Sequence, residues 1–211
     1  MRFMSKQQEG YMRVIYELIV KYGFATNKRI AQELNVAPAS VTEMIRKLRK
    51  KNWVQVNNHQ ITFTDKGETY VKDVLSRHRL WETFLLTKLD YPPEDVHQLA
   101  VSLEHVSDED LIQRLNRYLA YPKTCPHGGT IFLNTKENLD SENLWTYDQG
   151  TYWIDRILDE ENYDHYHHRG LVPGTDIQID KKFSANMQVR LNGKAATLSR
   201  TEAENILVLK K

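Results

Sequence analysis

Histidines, carboxylates and the single cysteine of the chain cluster between residues 78 and 127 at spacings that suit a divalent metal ion. His78 and Glu82 are four apart, so one face of a helix carries both. His97, Glu104 and His105 follow at seven- and eight-residue spacing, again on one helical face. Cys125-Pro126-His127 then brings a thiol and an imidazole together in a loop kept compact by Pro126 and Gly128-Gly129. Imidazole, carboxylate and thiolate are the donors that a transition-metal dication takes. Each group alone has an ordinary explanation: an i,i+4 surface pair, or a buried cysteine packed as a small apolar residue. Three such groups within about 50 residues favour metal binding over coincidence. A cysteine hydrolase using Cys125 with His127 or His105 is the enzymatic alternative, with Gly128-Gly129 offering backbone N–H donors. Nothing else in the chain supports catalysis, which needs a base in reach and an oxyanion hole.

The second chemistry is basic and lies upstream. Ala37, Ala39, Ser40, Thr42 and Glu43 are small or polar positions on one short helix, which lets a backbone approach base edges closely. Arg46, Lys47, Arg49, Lys50 and Lys51 follow and suit phosphate contact. Residues 1–73 hold 13 Lys+Arg and 7 Asp+Glu, a local net charge of +6, against −5 for the remainder. The whole-chain value of +1 therefore averages a DNA-facing basic module and an acidic body.

The elements that must hold these residues are legible by periodicity. Tyr11, Val14, Ile15, Leu18 and Ile19 form the apolar face of a first helix, with Gly23 as its left-handed C-cap. Ile30, Ala31 and Leu34 make a second helix capped by Thr26 or Asn27. Asn35-Val36 break it, and Pro38 opens a third helix buried through Val41, Met44, Ile45 and Leu48. Strands at Trp53–Val56 and Gln60–Thr64, joined by Asn57-Asn58-His59, complete a winged helix-turn-helix over residues 1–73. From Asp65, read as a cap, a long helix runs to about Lys88, and another starts at Pro92-Pro93-Glu94 and ends near His105. Ser107 with Asp110 reads as a capping box for a third, through Leu111, Leu115 and Leu119. Residues 74–130 form this helical domain, whose apolar content calls for a dimer partner. Residues 131–149 read as a polar linker. Residues 150–211 read as a small β-barrel with strands at Tyr152–Leu158, Thr175–Asp180, Met187–Leu191 and Ile206–Leu209. His165, His167 and His168 fall in a solvated loop. The fold class is mainly α with a small β domain.

A chain of 211 residues at this composition can bury a real core. No apolar run approaches a membrane span, and MRFMSKQQEGYM has no apolar signal core. One cysteine excludes an internal disulfide, and a reducing, cytoplasmic setting is expected. No membrane and no small organic substrate is expected as a partner.

The segments GYMRVIYELI, VAPASVTEMIRKL, RHRLWETFL, LEHVSDEDL and YPKTCPHGGTI resemble, in order, the diphtheria-toxin-repressor family of metal-dependent repressors. The Cys-Pro-His-Gly-Gly form is similar to its manganese-responsive branch, and GLVPGTDIQI to its C-terminal SH3-like (FeoA-type) domain. The resemblance covers essentially the whole chain. It implies a homodimer that binds palindromic double-stranded operator DNA when loaded with Mn²⁺, with Fe²⁺ or Zn²⁺ as alternatives, and that controls metal-uptake genes. It also implies two metal sites. The effector site would use Glu82, Cys125 and His127 plus a first-helix group. The second would use His78, His97, Glu104 or His105, and Asp159. The branch carries an acid directly before the first-helix tyrosine, where this chain has Gly10; Glu9, or the Gly10 carbonyl, would substitute. Val101 stands where some members carry a metal-binding cysteine. Without metal, Glu82 and Glu104 are expected to repel one another. A metal-independent regulator sensing a small molecule or oxidation of Cys125 is the remaining alternative.

Overall fold

The computed structural model describes residues 4–135, 141–159 and 162–211, and the chain divides into two compact units, Met1–Ser76 and Arg77–Lys211. In the first unit, α1 (Lys6–Tyr22), α2 (Asn27–Glu33) and α3 (Pro38–Lys50) precede a hairpin of β1 (Val54–Asn57) and β2 (Gln60–Phe63). Ile15 of α1, Ile30 of α2, Val41 and Leu48 of α3 and Ile61 of β2 are fully buried. Ser5 and Gln8 form a capping box on α1, and Gly23 ends it at φ +80°, where a side chain would be strained. Thr26 caps α2, accepting from the Arg29 N–H. Asn58 and His59, both at positive φ, make the two-residue turn of the wing. Ala25 adds a bridge to Ile61 beside it.

Helix α4 (Asp65–Lys88) begins in the first unit and ends in the second. Its cap differs from expectation. Thr64, not Asp65, holds the helix start, because its hydroxyl accepts from the Gly67 N–H at 3.1 Å while donating to the Asn52 carbonyl. Asp65 lies one residue inside, where its charge complements the helix N-terminus.

In the second unit, α4 packs with α5 (Pro93–Val106) and α6 (Glu109–Tyr118) around Leu80, Trp81, Leu85, Val96, Ala100, Ile112, Leu115 and Ile131. The capping box expected at Ser107 is also corrected. Asp108 caps α6 by accepting from the Leu111 N–H. The Ser107 hydroxyl is occupied otherwise, accepting from Trp81 Nε1 at 2.9 Å and donating to the Leu103 carbonyl.

The segment expected to be a polar linker is anchored at both ends of its described part. Ile131 is fully buried in the helical core, and Asn134 exchanges side-chain hydrogen bonds with Asn116. Residues 142–143 form β3, and Leu144 is fully buried in the β core. The remainder of that expectation, 136–140, lies outside the described residues.

Six antiparallel strands run in the order β3-β8-β4-β5-β6-β7, comprising β4 (Gly150–Ile157), β5 (Asp176–Lys182), β6 (Asn186–Leu191), β7 (Lys194–Ser199) and β8 (Ile206–Lys210) beside β3. Register shifts at Ile154/Arg156 and Ile179/Lys181 are bulges that bend the sheet round one core. The short helices α7 (Tyr163–His168) and α8 (Arg200–Glu204) close that core with Tyr163, Tyr166 and Ala203. Two features differ from the sequence reading. Strand β7 carries no alternating apolar signal, because KAATLS buries only Leu198 fully. The histidine segment is helical rather than a loop: Tyr163 and Tyr166 turn inward while His165, His167 and His168 stay exposed.

Candidate metal centre

Glu82 lies on α4 with no exposed surface, and its two oxygens face different partners. Oε1 is 3.0 Å from His78 Nε2 and 3.8 Å from His97 Nδ1. Oε2 is 3.1 Å from His127 Nδ1, which also lies 3.7 Å from Cys125 Sγ. Two donor sets therefore share one carboxylate: His78, Glu82 and His97, and Glu82, Cys125 and His127, with the donor atoms of each set within 4.8 Å of one another. His78 turns its other nitrogen to Glu104 Oε2 at 3.0 Å. The two acids expected to repel are thus not face to face, because an imidazole stands between them. His105 is 3.8 Å from Glu104, at the edge of the cluster. The His78 and His97 rings meet edge to face, 4.9 Å apart.

Local structure explains the convergence. The four-residue spacing puts His78 and Glu82 on one side of α4. Helix α5 presents His97 and Glu104 to the same side, seven residues apart. The Cys125–Gly129 loop is closed by Cys125 N–H donating to Gly129 O and Gly128 N–H to Cys125 O, both at 2.9 Å. Arg79 donates to the Thr130 carbonyl at 2.9 Å, and Arg156 from β4 to the Thr130 hydroxyl at 3.3 Å, which pins the end of the loop. Tyr163 packs its ring against His127, with centroids 4.2 Å apart.

The electrostatics match a charge-dense cluster. Burial raises the Glu82 carboxyl, but the charges of His127 and His78 outweigh it and hold the group well below the usual carboxylate range. Burial likewise opposes charge on His127. The Glu82 carboxylate, with help from Cys125, nevertheless holds its pKa well above the usual imidazole range.

A metal ion fits these residues by two observations. The donors are a carboxylate, three imidazoles and a thiol in two groups that share Glu82, all buried but the half-buried His97. Among the described residues His97 Nδ1 is buried without a hydrogen-bond partner although Glu82 Oε1 is 3.8 Å away, a separation that suits a ligand shared by both.

The remaining expected residues fall elsewhere. Asp159 accepts from the Asn162 backbone and side chain, and from the Tyr166 hydroxyl at 3.5 Å; it belongs to neither donor set. In the first unit, Glu9 is 4% exposed and accepts a 2.7 Å hydrogen bond from Tyr70. Burial and this bond push the Tyr70 phenol far above its usual value, so it remains a donor. Gly10 offers only backbone, and a methyl group there would touch nothing. Val101 is half-buried on α5.

On α3 the proposed DNA-contact positions Ala37, Ala39, Ser40, Thr42, Glu43, Arg46, Lys47 and Lys50 are all exposed. Thr42 is fixed by accepting from Asn27 and donating to the Pro38 carbonyl, both at 3.0 Å. Glu43 pairs with Lys47 at 2.7 Å, one turn along. Residues that sequence reasoning missed are the supports: Tyr70 for Glu9, Tyr163 for His127, and Arg79 with Arg156 for the loop. Only Tyr163 left a trace, as one of two tyrosines three apart within the histidine segment.

Three family models match the chain. They are the iron dependent repressor N-terminal DNA binding domain over residues 3–60, the iron dependent repressor metal binding and dimerisation domain over 64–133, and the FeoA domain over 148–210. The iron-dependent repressor IdeR of Mycobacterium leprae is 32% identical over 58% of the chain. That match spans about half, 54%, of the mycobacterial protein's length. The HTH-type transcriptional regulator MntR of Listeria monocytogenes is also 32% identical, over 58% of the chain and 86% of the relative. The crystal structure of the apo form of the manganese-activated repressor ScaR superposes with a TM-score of 0.82 at 31% identity. It covers 96% of this chain and all of the other.

Proposed function

The chain belongs to the iron-dependent repressor family, and on that premise we propose that it is a metal-activated transcriptional repressor. In this reading it binds palindromic operator DNA as a homodimer and controls metal-uptake genes. The family consists of DNA-binding regulators rather than enzymes, so Cys125 is a ligand in this account and not a nucleophile.

One observation carries the proposal: the buried Glu82 carboxylate, with His78 and His97 at one oxygen and His127 with Cys125 at the other. Glu82, Cys125 and His127 would hold the effector ion, and His78, Glu82 and His97 a second. A bound dication would supply positive charge beside the Glu82 carboxylate, held by donors from α4, α5 and the Cys125–Gly129 loop. Of the two first-helix candidates, Glu9 offers a buried carboxylate held by a hydrogen bond from Tyr70, and Gly10 only its backbone carbonyl. Asp159 is half-buried and belongs to neither donor set.

The basic α3 supports the DNA reading. Its exposed small residues suit a major-groove approach, and Arg46, Lys47, Arg49 and Lys50 suit phosphates. A dimer must set two such helices about 34–36 Å apart, or a multiple of that, to enter successive grooves. Val106, Tyr118 and Leu111, exposed on α5 and α6, support pairing through the helical domain. The working boundaries of the modules remain 1–73, 74–130 and 150–211. Among the described residues no helix is long and apolar enough to cross a membrane, and we place the protein in the cytoplasm.

Manganese is the preferred effector in this proposal, supported by the carboxylate and imidazole donors and by the likeness to a manganese-activated repressor. The thiol of Cys125 favours the softer Fe²⁺, Co²⁺ or Zn²⁺. Isothermal titration with each metal, on the native chain and on Cys125→Ser, tests the assignment. The expected result is uptake by the native chain and a selective loss of the softer metals in the variant. No uptake of any of them at micromolar concentration contradicts the proposal and favours a regulator that works without metal.

A further inference from the structure

We infer that Tyr163 is a positioning residue for His127, so that the β domain helps to set the metal affinity of the Glu82–Cys125–His127 cluster. This rests on the metal reading of that cluster. His127 turns Nδ1 towards Glu82 Oε2, 3.1 Å away, and Cys125 Sγ, 3.7 Å away. Nδ1 is therefore the donor atom, and in the neutral ring the proton then sits on Nε2. A metal-bound imidazole is ordinarily aimed by a hydrogen bond from its second nitrogen to a carboxylate, a carbonyl or water. Among the described residues no side chain or carbonyl accepts from the buried His127 Nε2. The ring must be aimed by packing instead.

Tyr163 supplies the packing. Its ring lies edge to face with the imidazole, centroids 4.2 Å apart and planes at 77°. Its hydroxyl donates to the carbonyl of Pro126, the residue between the two loop ligands, at 3.3 Å. Tyr163 is itself held, being 5% exposed on α7 and part of the β core. The same domain grips the loop at two further points. Ile157 N–H donates to the His127 carbonyl at 3.1 Å. Gly128, at φ +84°, passes so close to β4 that a Cβ would lie 2.1 Å from the Asp155 carbonyl oxygen. The loop ligands are therefore set by contacts from β4 and α7 and not by the loop alone.

The test is a Co²⁺ titration of the full chain, followed by thiolate-to-metal charge transfer in the near ultraviolet and ligand-field bands in the visible. Tyr163→Phe keeps the ring and loses the hydroxyl; Tyr163→Leu keeps bulk and loses the ring. Tyr166→Leu removes a second buried ring from the same helix and controls for general loss of core packing. Expected for Tyr163→Leu is a Co²⁺ affinity lower by about ten- to a hundredfold, the range for residues that support a metal ligand, with altered ligand-field bands. Tyr163→Phe should keep the native spectrum. Tyr166→Leu should lower thermal stability and leave the spectrum alone. Native affinity and spectrum in Tyr163→Leu overturn the inference, as does an equal spectral change in Tyr166→Leu. Failure of the native chain to take up Co²⁺, or uptake without a thiolate band, overturns the metal reading of the cluster and this inference with it.

Discussion

Glu82 Oε2 lies 3.1 Å from His127 Nδ1, although 45 positions separate the two residues and one is on a helix and the other in a loop. The pair is buried, and its partners His78 and Cys125 are buried too. A carboxylate placed this way is the hinge of both donor sets.

Replacing it has a defined consequence. Glu82→Gln keeps the shape and removes the charge that His78 and His127 share. Removing one partner of a buried charged pair costs about 3–5 kcal/mol. We expect a metal-free variant less stable by an amount of that order in urea unfolding, and loss of metal uptake at both donor sets by titration. A variant that still binds two equivalents would remove Glu82 from its bridging role.

Protons and metal should compete. His127 has a folded-state pKa held well above the imidazole norm, chiefly against burial and by the Glu82 charge. Its contribution to metal-free stability is thus complete below about pH 6.5, the unfolded value, and is lost as pH rises through the folded one. Metal must displace that proton, so uptake at pH 7 releases it and apparent affinity climbs with pH. Titrations in buffers of different ionisation enthalpy measure the release. A proton count of zero would mean that His127 is already neutral without metal.

Acid should act on the β domain through a different group. Burial raises the Glu202 carboxyl, but hydrogen bonds from His165 and Ser199 and the charge of Arg169 bring it down to about 2. Its stabilisation is present above about pH 4.3, the unfolded glutamate value, and is lost as pH falls towards the folded value. Glu202 also closes the α8 capping box with Ser199. Glu202→Gln should therefore flatten the acid dependence of unfolding followed by Trp145 and Trp153 fluorescence, with little change in metal uptake.

Much of this was readable in advance, for a physical reason. The first unit is local: α1, α2, α3 and the wing each carry their own periodicity, caps and turn residues, so Gly23, Thr26, Pro38 and Asn58 mark their places without tertiary help. The spacing of His78 and Glu82 likewise placed two donors on one face. What could not be read depends on side chains choosing between rival partners. Ser107 looked like a cap, but Trp81 Nε1 claims its hydroxyl and Asp108 takes the cap. The histidine segment looked solvated because its polar residues dominate the composition, while two tyrosines decide its fold. The sharing of Glu82 between two donor sets needs the approach of a loop 45 positions away, which no local pattern encodes.

The most direct test of the account is a titration of a labelled operator fragment with the native chain in Mn²⁺ and in chelator, at two salt concentrations. The account predicts tight binding with Mn²⁺, weak binding in chelator, and a steep loss of affinity with salt as α3 and its basic neighbours displace counterions. Equal affinity in Mn²⁺ and in chelator would contradict it.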